Sequence, residues 1–159
     1  MARETVRIEG LDQALRRLKA LGVEAQKRGG PVAAAVREGG KLIAAEAKTN
    51  LQRIIDTPNI GGDNESTGKL LKSVRVMRAG ANKELKGETY IVAPNRRSKY
   101  ESGESVSKIG TMLEYGTGRR QPMPWMGPAF HAKKAEVLRV MKDKLLAGIE
   151  KLEKKLGRT

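Results

Sequence analysis

The chain has 159 residues and no cysteine, and its 32 Lys and Arg against 18 Asp and Glu give a formal charge of +14. That length suits a single domain over 1–159 that buries its own core, and the missing thiols exclude a disulfide framework or a thiolate metal site. The charge implies an anionic partner, nucleic acid or an acidic protein surface, unless it is a solvated lysine-rich exterior. No apolar run approaches the ~20 residues that span a membrane. The start, MARETVRIEG, lacks the apolar stretch of a secretory signal, which fits cytoplasmic synthesis. With only five aromatic side chains, the core must be aliphatic and rich in alanine, which leaves room for stability from subunit packing.

Thr5 to Glu9 alternates Val6 and Ile8 with charges, a weak edge-strand pattern ended by Gly10. Leu11, Leu15, Leu18 and Leu21 then fall on one face of an amphipathic helix closed by Gly22. After a break at Lys27–Gly30, Pro31 opens a second helix. Its stripe is Val36, Gly40, Ile43, Ala47, Leu51 and Ile54. Gly39-Gly40 inside it costs ~1 kcal/mol per glycine relative to Ala, so either another backbone approaches closely there or the helix kinks. Thr57 to Thr67 (TPNIGGDNEST) is polar and aperiodic, a mobile loop. Gly68 to Ser73 is a short turn.

Val74, Val76 and Arg78 begin a strand, Gly80 to Gly87 turns, and Glu88 to Ala93 forms a second strand with Tyr90 and Val92 on one face and Ile91 on the other. The two pair as an antiparallel hairpin. Pro94 to Lys108 reads as a second mobile segment. Within it, Arg96, Arg97 and Lys99 surround Tyr100 and either grip phosphates, with Tyr100 as a stacking platform, or sit in a solvated loop. Ile109, Met112 and Leu113 are spaced for one helical turn ending at Gly116, with a short strand as the alternative.

Met112 to Phe130 (MLEYGTGRRQPMPWMGPAF) is the most distinctive stretch. A small apolar patch with one carboxylate, Glu114, is followed by a basic turn centred on Gly118, Arg119 and Arg120. Pro122, Pro124 and Pro128 then stiffen a strap carrying Met123, Trp125 and Met126. Pro128 suits the first turn of a helix, and the last helix is expected over about 128–156. Its stripe is Phe130, Val137, Met141, Leu145, Ile149, Leu152 and Leu156. Spanning over ~40 Å, it is long enough that its C-terminal turns project or pack on a neighbouring subunit. The expected fold is α+β, a small antiparallel sheet flanked by two long helices and short helical turns.

The EYGT element, the short turn, the P-x-P-x-x-x-PAF strap and the long helix after it resemble the Hong-Kong-97-type phage tail-component family, named after gene product ten of its founding phage. Thr67-Gly68-Lys69-Leu70-Leu71-Lys72-Ser73-Val74 is similar to that family's TG-x-L-x-x-S element, and the resemblance runs over roughly residues 30–155. The chain departs from the family in having Trp125 and Met126 where Phe and Leu are commoner, and Ile109-Gly110-Thr111 where a Tyr-Ala pair is usual. The resemblance implies a structural virion protein of the head–tail junction, assembled in the bacterial host cytoplasm and acting in tail completion as a six-fold homo-oligomeric ring. Its partners would be its own copies, a tail tube or tail terminator protein, a head connector or stopper protein, and phage DNA in transit, with no membrane.

On this reading Glu114, Tyr115, Arg119, Arg120, Met123, Trp125 and Met126 touch a neighbouring subunit or partner, and Arg96, Arg97 and Lys99 contact DNA or an acidic partner. Two residues leave alternatives open. Glu114 either pairs with an arginine or caps nearby N–H groups. Trp125 either anchors a partner or packs into its own core beneath the last helix. The competing class is a basic protein that binds nucleic acid without sequence preference. An enzyme is not indicated, and no metal or cofactor is expected. The single histidine, His131, lacks companion ligands, and the glycine-rich pieces lack the Gly-Lys-Ser/Thr of a phosphate loop.

Overall fold

The computed structural model describes residues 10–22, 29–57, 68–79 and 88–157. Among these the chain runs α1 (Leu11–Leu21), α2 (Pro31–Asp56), α3 (Lys69–Ser73), β1 (Val74–Arg78), β2 (Tyr90–Pro94), α4 (Val106–Tyr115) and α5 (Met126–Lys155). The fold is α+β. The expected strand at 5–9, nearly all of the polar stretch 57–67, the first part of the break at 27–30 and the turn at 80–87 lie outside the described residues.

The two long amphipathic patterns become the two long helices, and α2 packs along α5 on one side and against the hairpin on the other. The Gly39-Gly40 pair explains how one helix serves two layers. A Cβ on Gly39 would sit 2.7 Å from Met141 Cγ and 3.0 Å from Val137 Cγ1 of α5. One on Gly40 would sit 2.9 Å from Val76 Cγ1 of β1. The glycines admit side chains from both layers rather than another backbone, and that packing offsets their poor helix propensity.

In the hairpin, Val74 pairs with Pro94, Val76 with Val92, and Met77 with Ile91. Strand alternation turns Val76 and Val92 toward α2 and leaves Ile91 42% exposed. The main core joins Ala44, Ala47 and Leu51 of α2 to Leu70, Val74, Val106, Trp125 and Ala129. Alanine faces let the helices approach closely, as the aromatic-poor composition requires.

A second cluster lies at the far end of α5, where Ala14 and Leu21 of α1 enclose the fully buried Ile149. Around them are Leu18, Leu145, Leu146 and Leu152, and Arg17 Nε donates to Glu153 Oε1 at 3.0 Å. The C-terminal turns of α5 are therefore covered by the chain's own α1. The face of α1 is rotated from the leucine pattern, because Ala14 is buried while Leu15 is 42% exposed.

One further expectation needs correction. The single turn before Gly116 is a ten-residue helix, α4, whose first residue Val106 is fully buried. The segment leading to it, read from composition as mobile, is stitched by backbone bonds: Ser98 N–H to Asn95 O, Tyr100 N–H to Glu104 O and Val106 N–H to Ser98 O. Among the described residues no helix is long and apolar enough to cross a membrane.

Candidate interaction site

A helix begins with backbone N–H groups that have no partner inside it. At the start of α5 these groups meet one side chain from α4. Glu114 Oε2 accepts from the N–H of Trp125 and of Met126, and Oε1 accepts from the N–H of Gly127, all at 2.8 Å. The next residue, Pro128, has no N–H to satisfy. One carboxylate thus completes the whole helix start, and its negative charge opposes the positive end of the helix dipole. Gly127 lies close under it, since a Cβ there would stand 3.1 Å from Glu114 Oε1. Of the two options for Glu114, the structure takes the cap. No salt bridge among the described residues involves it.

The same contact fixes Trp125. Its indole N–H donates to Gly110 O at 3.0 Å, its carbonyl accepts from Asn50 Nδ2 at 3.1 Å, and the residue is 3% exposed. Gly110 is small for a reason, because a Cβ on it would lie 3.4 Å from Trp125 Cζ2 and 3.1 Å from Leu70 Cδ1. Trp125 therefore belongs to its own core, and the expectation that it anchors a partner is corrected by this burial. Met126 is half-buried and packs on the same cluster.

Between Glu114 and Trp125 the chain makes a tight excursion. Gly116 has φ +77°, and a Cβ there would clash with Arg120 O at 2.8 Å and Pro122 N at 2.9 Å, so glycine is required. Thr117 and Arg120 exchange backbone bonds of 2.8 and 3.2 Å, and Met123 N–H donates to Leu113 O at 2.8 Å. The turn holds Arg119 and Arg120 out in solvent, and Arg120 Nη2 reaches Met123 Sδ at 3.7 Å.

What the clamp presents is the surface around it. Tyr115 is 76% exposed and Phe130 is 48% exposed. Phe130 was expected in the apolar stripe of α5. Ala129 turns to the Trp125 cluster instead, and the stripe passes through Lys133, which reaches Glu46 of α2 at 3.9 Å. Phe130 meets His131 edge-on, with centroids 5.8 Å apart.

Arg96, Arg97 and Lys99 are exposed on a separate turn, after β2. Tyr100 beside them is half-buried, with Lys69 Nζ 5.7 Å above its ring. Burial raises its hydroxyl above the ordinary tyrosine range, and a hydrogen bond with the Leu70 backbone acts in the opposite direction. It is a core residue more than a stacking platform.

The described residues contain no group of His, Asp and Glu placed to hold a metal ion. Sequence reasoning missed Asn50, Gly110 and Phe130. For Gly110 the signal was present, as a glycine inside a helical pattern needs a packing reason. No family model, curated protein or solved structure matches the chain.

Proposed function

We propose that this chain is a structural subunit that works by binding, as a homo-oligomeric ring at the head–tail junction of a tailed phage, joining tail tube to head connector around the passing DNA. The observation that carries this reading is the exposure of Tyr115 and Phe130 on either side of a backbone-stitched basic turn. A chain with five aromatics in all leaves two of them exposed, Tyr115 next in sequence to the turn that carries Arg119 and Arg120, and Phe130 near the start of α5. Aromatic and arginine side chains on a pre-ordered surface are the residue types that anchor interfaces, because little conformational entropy is lost when they dock. The order of the EYGT element, strap and long helix supports the same assignment by resemblance. Both halves of that pattern meet in the Glu114 clamp, which holds the surface in shape.

Native mass measurement with negative-stain electron microscopy tests it, with and without purified tail tube. Closed rings, or rings that form on the tube, are expected. Tyr115→Ser with Phe130→Ser should abolish them while leaving the thermal midpoint of the subunit unchanged. A wild-type chain that stays monomeric and ignores the tube overturns the reading.

A further inference from the structure

We infer that the turn after β2, together with the end of α3, forms a binding surface for the phosphodiester backbone of duplex nucleic acid. The fold gathers residues that are far apart in sequence. Asn95 N–H donates to Ser73 O at 3.0 Å, which ties the turn to the junction of α3 and β1. Asn95 Oδ1 accepts from Arg75 Nη2 at 2.7 Å and from Arg97 N–H at 3.2 Å. Ser98 N–H donates to Asn95 O at 3.0 Å and closes the turn. Lys72 and Arg75 are thereby brought to the same end of the hairpin as Arg96, Arg97 and Lys99, and all five are exposed.

Among the described residues none of these five is in a salt bridge. The nearest acids in sequence are Glu101 and Glu104 on the following turn, and Glu104 is paired with Lys108 at 3.2 Å. Among the described residues the cluster is therefore a concentration of basic side chains without an ion-pair partner, on a hydrogen-bonded support. The turn carries no exposed aromatic, since Tyr100 is packed against the core. A protein partner would need an apolar anchor, and a single strand would need an open stacking ring. Phosphates need only cations, and arginine guanidinium groups match their geometry. With no base-reading element in the cluster, the contact is independent of sequence and dominated by counterion release.

The inference does not depend on ring formation, because binding is read on the isolated full chain. Fluorescence anisotropy with a labelled random-sequence duplex, from ~50 to ~200 mM salt, measures it. About four engaged phosphates give a slope of log K against log salt near −3.6. Arg96→Glu with Arg97→Glu should weaken binding at least about tenfold at ~100 mM salt and reduce the slope by about 2. Lys154→Glu with Lys155→Glu, the same charge change at the far end of α5, should alter affinity less than about twofold. Arg96→Gln with Arg97→Gln, checked by circular dichroism, separates charge from folding and should show a smaller loss in the same direction. Equal losses in the two reversal variants would overturn the proposal in favour of diffuse charge. So would the absence of duplex binding at low salt. Binding of poly-glutamate but not duplex, lost in the Arg96/Arg97 variant, would overturn it in favour of an acidic protein surface. Rings without duplex binding would sink this inference alone, and duplex binding without rings would sink only the assembly reading.

Discussion

The two ends of α5 are secured by different physics. The front end is held by directional bonds: three backbone N–H groups on the Glu114 carboxylate, an indole N–H on Gly110, and a buried Trp125. The back end is held by aliphatic contacts between α1 and the Ile149 turn, by the partly buried ion pair Arg17–Glu153, and by close packing on the first turn of α2, where a Cβ on Gly148 would lie 2.9 Å from Pro31 Cβ. The first arrangement has one geometry and fails all at once. The second is non-directional and local, the kind of contact that opens without unfolding the rest. A helix fixed at one end and loosely covered at the other has a rigid display surface and a cover that can separate from it.

The largest effect should come from the front. Trp125→Ala removes the biggest side chain of the core and takes the indole donor from the Gly110 carbonyl, so a loss of about 3–5 kcal/mol is expected. Urea unfolding should show one cooperative transition at a lower midpoint. A variant as stable as the parent would return Trp125 to the surface. Glu114→Ala leaves three N–H groups without their acceptor and should cost about 2–4 kcal/mol. Glu114→Gln should recover part of that, because one amide oxygen replaces two charged ones.

Breaking the back end should look different. Ile149→Ala is expected to cost about 2 kcal/mol, the low end for a large-to-small change, and the loss should fall on α1. Hydrogen exchange should accelerate across Leu11–Leu21 and stay protected in α2. Uniform loss of protection would erase the distinction between the two ends.

The smallest effect is electrostatic. The hydrogen bond from Arg17 holds Glu153 below the ordinary carboxylate range, with burial opposing and the Arg17 charge assisting. Because the folded pKa is depressed, this contribution is present above the unfolded value of ~4.3 and disappears as pH falls through the folded value. Protection of α1, taken relative to the intrinsic exchange rate at each pH, should fall in acid, and Glu153→Gln should reduce that dependence.

Much of this was legible from sequence. Pro31 marked the start of α2, Gly10 and Gly22 bracketed α1, and alternation gave the hairpin with Val92 and Ile91 on opposite faces, though not which face turns inward. Periodicity identifies a helix but fixes its phase poorly where the partners are unknown. That is why Ala14 and Ala129 took the places expected of Leu15 and Phe130: small residues go where another element comes close. The proline strap was visible, yet the destination of Glu114 was not. A carboxylate eleven residues before Trp125 has no local pattern to disclose that it caps a helix across a turn, and only tertiary structure closes that gap. The basic cluster was half visible for the same reason, since Lys72 and Arg75 reach Arg96 and Arg97 only through Asn95.

The paired glycines of α2 also set how this protein tolerates change. Two consecutive positions are constrained by different neighbours, so compensation should be specific to each. Gly39→Ala meets first Met141, a flexible side chain that can move, at 2.7 Å, and then the branched Val137 at 3.0 Å. Gly40→Ala meets Val76, whose branched side chain has few rotamers in which to retreat. A second change of Val76→Ala should suppress a Gly40→Ala defect and do nothing for Gly39. The helix thus meets a different layer at each of two consecutive positions, α5 at Gly39 and β1 at Gly40, and a change at either is answered by its own neighbour.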